Sequence, residues 1–251
     1  MDLLSVQKRM KVAVILPAAG LGTRMTKSQP EKNASGRKQF LLLDGEPVLL
    51  HTIRKFSRSA LVNEIVVSLR GDDIAYVQEL VDKAALPKPV RLVIGGDSRQ
   101  QSVENALEII DPATDLVAVH DAVRPFVDLE QIDAVIREAA ECGAAILGIV
   151  PVDTVKQVHR HIIRATIPRD KLVLAQTPQV FRFALLKEAY SKAGDDSFAG
   201  TDEASLVERL DKVEVHVVAG SDRNIKITKP TDIELARLYL EQEKAAAKIP
   251  A

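Results

Sequence analysis

Lys11-Val12-Ala13-Val14-Ile15-Leu16-Pro17-Ala18-Ala19-Gly20-Leu21-Gly22-Thr23-Arg24-Met25 is the stretch that decides the fold. Val12 to Leu16 is a short apolar run, mostly β-branched, of the kind buried on both faces of a parallel sheet. Small residues and two glycines follow at once. At the carboxyl end of a first strand, such a loop brings bare backbone N–H groups up to a ligand, and phosphate is the usual one. The dinucleotide fingerprint needs a third glycine where Met25 stands, which argues against a nicotinamide-dependent oxidoreductase. The P-loop pattern is absent. Instead Arg24 lies two residues after Gly22, and the basic pair Arg37-Lys38 follows. Backbone amides flanked by Arg and Lys suit phosphoryl or nucleotidyl transfer. A plain glycine-rich strand-to-helix turn would use the same residues.

The 251 residues suffice for one large domain or two small ones, and no repeat or interdomain linker divides them. A single domain over 1–251 with an inserted arm is the simplest account. Tryptophan is absent and aromatics are 4%, so the core is built mainly of Val, Ile, Leu and Ala. A net charge of −1 gives no reason to expect a nucleic-acid polymer as partner. The single cysteine, Cys142, rules out an internal disulfide framework and fits a cytoplasmic setting. No apolar run reaches membrane-spanning length, and the basic N-terminus lacks the apolar segment of a secretory signal.

Strand-like and helical stretches alternate: strands at 12–16, 64–69, 90–94, 116–120 and 144–150, helices at 46–59, 72–85, 101–110 and 129–142. This predicts an α/β fold with a mostly parallel sheet covered on both faces. After Pro151 the rhythm changes. Residues 153–158 and 162–168 look extended around His159-Arg160-His161, a β-hairpin that either projects as a dimer arm or forms an ordinary sheet edge. Alternation then resumes with helices at 182–193 and 201–210, a strand at 213–218 and a short extended piece at 225–227. A Thr231-x-x-Glu234 capping box opens the last helix.

Ligands of open α/β sheets collect beyond the carboxyl ends of the strands. Asp121, which follows the fourth such strand, is the best metal candidate. A lone carboxylate there suits Mg²⁺, which keeps most of its waters and takes other ligands from substrate phosphates. An Asp capping the turn at Arg124-Pro125 would look the same. Asp97 and Ser102 suit a ribose or a base edge, although Ser102 could instead be the N-cap of the helix that follows. Arg24, Lys38, Arg124, Arg169 and Lys226 are phosphate-binding candidates, each also readable as a surface cation. The histidines show no metal-ligand spacing: His159 and His161 lack a third ligand nearby, and His51 and His216 fall within expected elements. Cys142 has no evident activating partner, so covalent nucleophilic catalysis is not expected.

Several blocks, taken in order, resemble a known family. They are Leu16 to Met25, Arg37-Lys38-Gln39-Phe40, Gly95-Gly96-Asp97-Ser98-Arg99, Val119-His120-Asp121-Ala122-Val123-Arg124-Pro125, Thr177-Pro178-Gln179, Thr201-Asp202-Glu203-Ala204 and Asn224-Ile225-Lys226-Ile227-Thr228. Together they resemble the 2-C-methyl-D-erythritol 4-phosphate cytidylyltransferases of the non-mevalonate isoprenoid pathway, from about Lys11 to Leu240. The first block is shared with nucleotidyltransferases in general; the His-Asp-Ala-x-Arg-Pro and Thr-Asp-Glu-Ala blocks are more specific. The resemblance implies a Rossmann-like nucleotidyltransferase fold and a homodimer whose arm, about 153–169, hooks onto the partner subunit. It implies CTP on the loop of Pro17, Ala18, Ala19, Gly20, Gly22 and Thr23, with Gly96, Asp97 and Ser102 near the cytidine and Asp121 as the Mg²⁺ ligand. Arg124, Thr154 and Thr201 would hold methylerythritol phosphate. Arg169 and Lys226 would join Arg24 and Lys38 as catalytic cations, with Thr154 and Arg169 reaching across from the other subunit. No membrane and no nucleic acid enter this picture. Another sugar- or alditol-phosphate nucleotidyltransferase, or a non-catalytic nucleotide-binding regulator, would share the first loop.

One departure stands out. The family has a short loop ending Pro-Lys-Gln; here residues 26–37 are longer, and Arg37 stands where the proline would be. The implied mechanism is electrostatic. A phosphate monoester, with a second pKa of about 6, is already largely dianionic at neutral pH, so no general base is needed. Cations must then make two anions tolerate contact.

Overall fold

A computed structural model describes residues 10–20 and 37–246. Residues Val12–Pro17 (β1) form the central strand. Val12 to Leu16 are fully buried. Their side chains alternate between two separate apolar clusters, Val12, Val14 and Leu16 in one and Ala13 and Ile15 in the other. This is the period-2 geometry of a strand covered on both faces.

Two short strands, Leu42–Leu43 (β2) and Glu46–Pro47 (β3), make a small hairpin that leads into helix Val48–Ser57 (α1). Glu64–Leu69 (β4), Ile74–Ala84 (α2), Val90–Ile94 (β5), Arg99–Ile109 (α3), Leu116–Val119 (β6), Leu129–Cys142 (α4) and Ala144–Ile149 (β7) follow in strict alternation. Val155–His159 (β8) and Ile162–Ile167 (β9) form a separate antiparallel hairpin. It turns through Arg160 and His161, both at positive φ (47° and 65°), as two-residue hairpin turns require. Leu174–Arg182 (β10), Phe183–Asp195 (α5), Glu203–Glu208 (α6), His216–Ala219 (β11) and Pro230–Ala246 (α7) complete the described chain.

The main sheet has seven strands in the order β11-β7-β10-β6-β1-β4-β5. All pair in parallel except β10, which runs antiparallel to both β6 and β7. α1, α2 and α4 pack on one face of β1, while α3, α5 and α6 pack on the other. α7 closes a third, smaller cluster against β2 and the Val123 to Phe126 segment. No helix of the described residues is long and apolar enough to cross a membrane.

The alternation predicted from sequence is present, but that prediction lacked β10 and the β2–β3 hairpin, whose Glu46 and Pro47 it placed in the first helix. β10 carries Gln176, Thr177, Pro178 and Gln179 in its middle, and polar residues with a proline disguise a central strand. The register slips between Ala175 and Gln179, which accommodates the proline. The extended piece expected at 225–227 is not a strand. The cap of α7 also differs: Asp232, not Glu234, reaches back to the N–H groups of Thr228 (2.7 Å) and Lys229 (2.8 Å).

The chain leaves β1 toward β4 and β5 on one side and returns to β6 on the other. The crevice between the carboxyl ends of β1 and β6 is therefore the switch point where such sheets bind ligands. Gly95, just beyond β5, closes its rim. A Cβ there would lie 2.6 Å from Ala19 Cβ and 2.9 Å from Ser102 Oγ. Gly95→Ala is expected to cost about 1–3 kcal/mol by overpacking. Gly71→Ala, whose new methyl group would meet nothing within 4 Å, is expected to stay within about 0.5 kcal/mol. Urea unfolding of the two variants tests the contrast, and equal losses would refute it.

Candidate active site

Residues after β1, β5 and β6, together with Lys38 and Lys226, line a cleft of about 350 Å³ at this switch point. Pro17, Ala18, Ala19, Gly20, Gly96, Asp97, Ser102 and Asp121 are all in its wall. A second hollow of about 240 Å³ adjoins it, lined by Arg124, Thr177, Thr201 and their neighbours. Arg99, Asp121 and Lys226 line both. The site is thus two lobes meeting at one charged partition. In the first lobe Lys38, Arg70, Arg99 and Lys226 outnumber the carboxylates Asp97 and Asp121, so the cleft favours an anion.

Several local devices hold the first lobe. Gln39, buried in a short 3-10 turn over Lys38–Phe40, donates to Ala18 O (2.6 Å) and so fixes the start of the glycine loop. Arg37 forms an ion pair with the mostly buried Asp73, and Phe40 packs edge-on against Tyr76 (centroids 5.5 Å apart). Arg37 thus takes no place in the cleft wall; it pins the turn that carries Lys38 to the start of α2. Ser102 is not the N-cap of α3. Ser98 is, accepting from the N–H of Gln101, while Ser102 Oγ donates to Ser98 O (2.8 Å) and accepts from the Gly96 N–H (3.1 Å).

The partition is a charge network built on two buried acids, Asp121 and Glu203. Arg99 donates two parallel bonds to Glu203 (2.7 and 2.9 Å) and a third, through Nε, to Asp121 Oδ1 (3.2 Å). Glu203 also accepts from Tyr190 Oη (3.0 Å). Lys226 Nζ lies 2.8 Å from Asp121 Oδ2, and Arg124 Nε donates to the same oxygen at 3.4 Å. Burial by itself would raise the Asp121 pKa; Arg99, Lys226 and Arg124 together more than offset it and hold the carboxyl well below the usual range. Burial likewise opposes the Arg99 charge, and Glu203 and Asp121 reverse that, so its pKa is raised. Asp121 is therefore not a turn cap but an ionised acid facing three cations.

Backbone and neighbours position each member. The Asp121 N–H donates to Thr177 Oγ1 (3.1 Å) and Arg124 Nη1 donates to Asn224 O (2.6 Å). Buried Asn224 donates to Thr177 O (2.8 Å). Gln179 receives the Ala204 N–H (3.0 Å) and donates to the α6 N-cap Asp202 (2.7 Å), which sets Glu203 in place. His120 Nε2 contacts Arg124 O (3.0 Å), so that nitrogen carries the proton.

Of the residues singled out from sequence, Gly22, Thr23 and Arg24 lie outside the described residues. Thr154 and Arg169 are exposed at the base of the β8–β9 hairpin and line neither lobe of their own chain, Arg169 donating to Val152 O (2.6 Å). Sequence reasoning missed Arg99, Glu203 and Gln39 as site residues. All three stand inside the quoted motifs, but Arg99 and Glu203 are 104 positions apart, and only the fold pairs them.

A family model for 2-C-methyl-D-erythritol 4-phosphate cytidylyltransferase matches residues 12–242. The enzyme so named from Solibacter usitatus is 61% identical over 244 residues, covering 96% of this chain and 100% of the relative. Its namesake from Acidobacterium capsulatum is 50% identical over 241 residues, 94% of this chain and 100% of the relative. The crystal structure of 4-diphosphocytidyl-2C-methyl-D-erythritol synthase from Anaerococcus prevotii superposes with a TM-score of 0.80 at 31% identity, covering 93% of this chain and 99% of that one.

His120 yields a pH prediction. Burial lowers its pKa from 6.5 to about 4, so the folded chain holds it neutral. Between those values the unfolded chain binds the extra proton, so this stability is present above pH 6.5 and lost as pH falls toward 4. The full loss is on the order of 3 kcal/mol. Denaturant unfolding at pH 7 and 5 should show His120→Gln losing less stability than the parent chain; equal losses would mean His120 accepts its proton in the fold.

Proposed function

The chain belongs to the 2-C-methyl-D-erythritol 4-phosphate cytidylyltransferase family, and we propose that it carries out that reaction in the two-lobed cleft. The cytidylyl group of CTP passes to 2-C-methyl-D-erythritol 4-phosphate, giving 4-diphosphocytidyl-2-C-methyl-D-erythritol and pyrophosphate, in isoprenoid precursor synthesis. One observation carries this assignment: Arg99, Asp121 and Lys226 line both lobes, so phosphates entering from either side meet at one charged wall.

In this reading CTP fills the first lobe, its phosphates on the Pro17 to Gly20 loop with Lys38, and Gly22, Thr23 and Arg24 join them as the family resemblance implies. Gly96, Asp97 and Ser102 face the cytidine. Methylerythritol phosphate fills the second lobe against Arg124 and Thr201. A monoester oxygen attacks the α-phosphorus, the bond to the bridging β-oxygen breaks, and the electron pair leaves on pyrophosphate. The nucleophile is already dianionic, so no residue need remove a proton. Lys38, Arg24 and Lys226 offset the charge on the two anions and on the leaving group.

Asp121 fits a divalent cation: it is ionised, it offers hard oxygens, and it lines both lobes. Asp121 would hold Mg²⁺, which would supply positive charge to offset that of the phosphates. The β8–β9 hairpin exposes Val158, Ile162 and Ile163 and carries Thr154 and Arg169 outside their own cleft. We therefore favour a homodimer of one-domain subunits in which each arm reaches the partner's second lobe. A cytoplasmic setting accords with charged phosphate substrates and a free thiol at Cys142.

Incubating the chain with Mg²⁺, methylerythritol phosphate and each nucleoside triphosphate in turn tests the assignment by pyrophosphate release and product mass. CTP should be used best; preference for another base would overturn it. Lys38→Ala should stay folded and lose on the order of 3 kcal/mol of transition-state stabilisation, about a hundredfold in kcat. Near-normal turnover would remove Lys38 from the machinery.

A further inference from the structure

At the opposite end of the sheet from the cleft, three unlike donors converge. Glu138 and Cys142 stand one turn apart on the last stretch of α4. Gly143, at φ 96°, ends the helix and turns the chain straight into β7. β11 runs parallel to β7 with His216 opposite Ala145, which sets the imidazole beside the helix end. A carboxylate oxygen, a thiol sulfur and a ring nitrogen then lie within 4.8 Å of one another, the one such group of three among the described residues. His216 Nδ1 is 2.6 Å from Glu138 Oε1, and both side chains are open to solvent on one side (44% and 37% exposed).

We propose that Glu138, Cys142 and His216 form a zinc-binding site. Sulfur, nitrogen and oxygen together are the donor set Zn²⁺ takes, and three protein ligands leave a fourth, tetrahedral position for water. Bonds of about 2.0–2.3 Å put tetrahedral ligand atoms about 3.3–3.6 Å apart, so the donors need move only on the order of 1 Å. Partly exposed side chains can make that adjustment. Cys142 Sγ now donates to the carbonyls of Glu138 (3.0 Å) and Ala144 (3.2 Å); binding exchanges this weak hydrogen bonding for a thiolate–metal bond and releases the thiol proton. The ion would tie β11, the sheet's edge strand, to the helix packed beside it. None of the three residues lines the catalytic lobes, so the site is independent of the Mg²⁺ chemistry proposed there.

Cobalt(II) titration of the untagged, metal-free full chain reads the site directly, because Cys142 is the chain's only cysteine. A thiolate-to-cobalt charge-transfer band in the near ultraviolet should appear and saturate at one equivalent, and one equivalent of Zn²⁺ should bleach it. Cys142→Ser should abolish the band, and His216→Ala should weaken cobalt affinity at least tenfold. Cys142→Ser should leave cytidylyl transfer with Mg²⁺ unchanged. No band in the parent chain, or a band of equal affinity in His216→Ala, would overturn the proposal; neither result would touch the assigned reaction.

Discussion

The site depends on the fork of one guanidinium. Arg99 uses its two terminal nitrogens on Glu203 and its Nε on Asp121, so a single planar group fixes the spacing of two acids from different parts of the chain. Lysine has no such fork and could not hold both in a set geometry. Glu203 is 1% exposed, so it is itself a buried charge that Arg99 must balance. Breaking a buried pair of this kind typically costs about 3–5 kcal/mol, because the survivor keeps its desolvation penalty without its partner. Tyr190 adds a second donor to Glu203; burial and the Glu203 charge raise the phenol's pKa, so it remains a donor. The pair is thus a support for the partition rather than a feature of the surface.

What this support makes available is positive charge already in place. Lys226 and Arg124 converge on one oxygen of Asp121, held there by turns that are hydrogen-bonded to β10. The Asp121 carboxylate takes up the cations' bonding capacity. On the proposed assignment an arriving phosphate would meet the same cations without their having to be gathered from solvent, which is the condition for electrostatic stabilisation at little reorganisation cost. The apparent conflict between a strongly paired Asp121 and a metal-binding role resolves in the same terms. On the proposed assignment, a phosphate that drew Lys226 toward itself would leave the acid ionised and able to hold a divalent cation.

Much of the fold was legible in the sequence, because periodicity reports burial directly. Val12 to Leu16 announced a strand buried on both faces, and the alternation after it announced the parallel sheet. The hairpin after Pro151 broke the pattern visibly. β10 was not legible: its polar middle reads as loop because Gln176, Thr177 and Gln179 are turned inward to hold Asp121, Asn224 and α6 rather than outward to solvent. Asp121 could be singled out because a strand end implies a rim. Arg99 and Glu203 could not be, since each alone is an ordinary charged residue and their meaning lies in the pairing. Similarly Arg37 looked like part of a phosphate-binding pair until Asp73 claimed it. His216 and Cys142 appeared unrelated for the same reason, lying apart in sequence and together only through the register of β11 on β7.

His120 bears most directly on what kind of chemistry the partition performs. A histidine next to the central acid invites the reading of a general base. Its ring is fully buried and tilted against Phe56 (centroids 4.7 Å apart), and its protonated Nε2 is spent on the carbonyl of Arg124. With its pKa lowered by burial to about 4, it stays neutral, and it lines neither lobe. Its work is to brace the tight turn in which the Arg124 N–H returns to Asp121 O (3.0 Å), and so to aim Arg124 at the acid. The group best placed to move a proton is thereby committed to geometry. On the proposed assignment, what the partition would offer a substrate is charge, held at fixed positions, and that is what joining two phosphates demands.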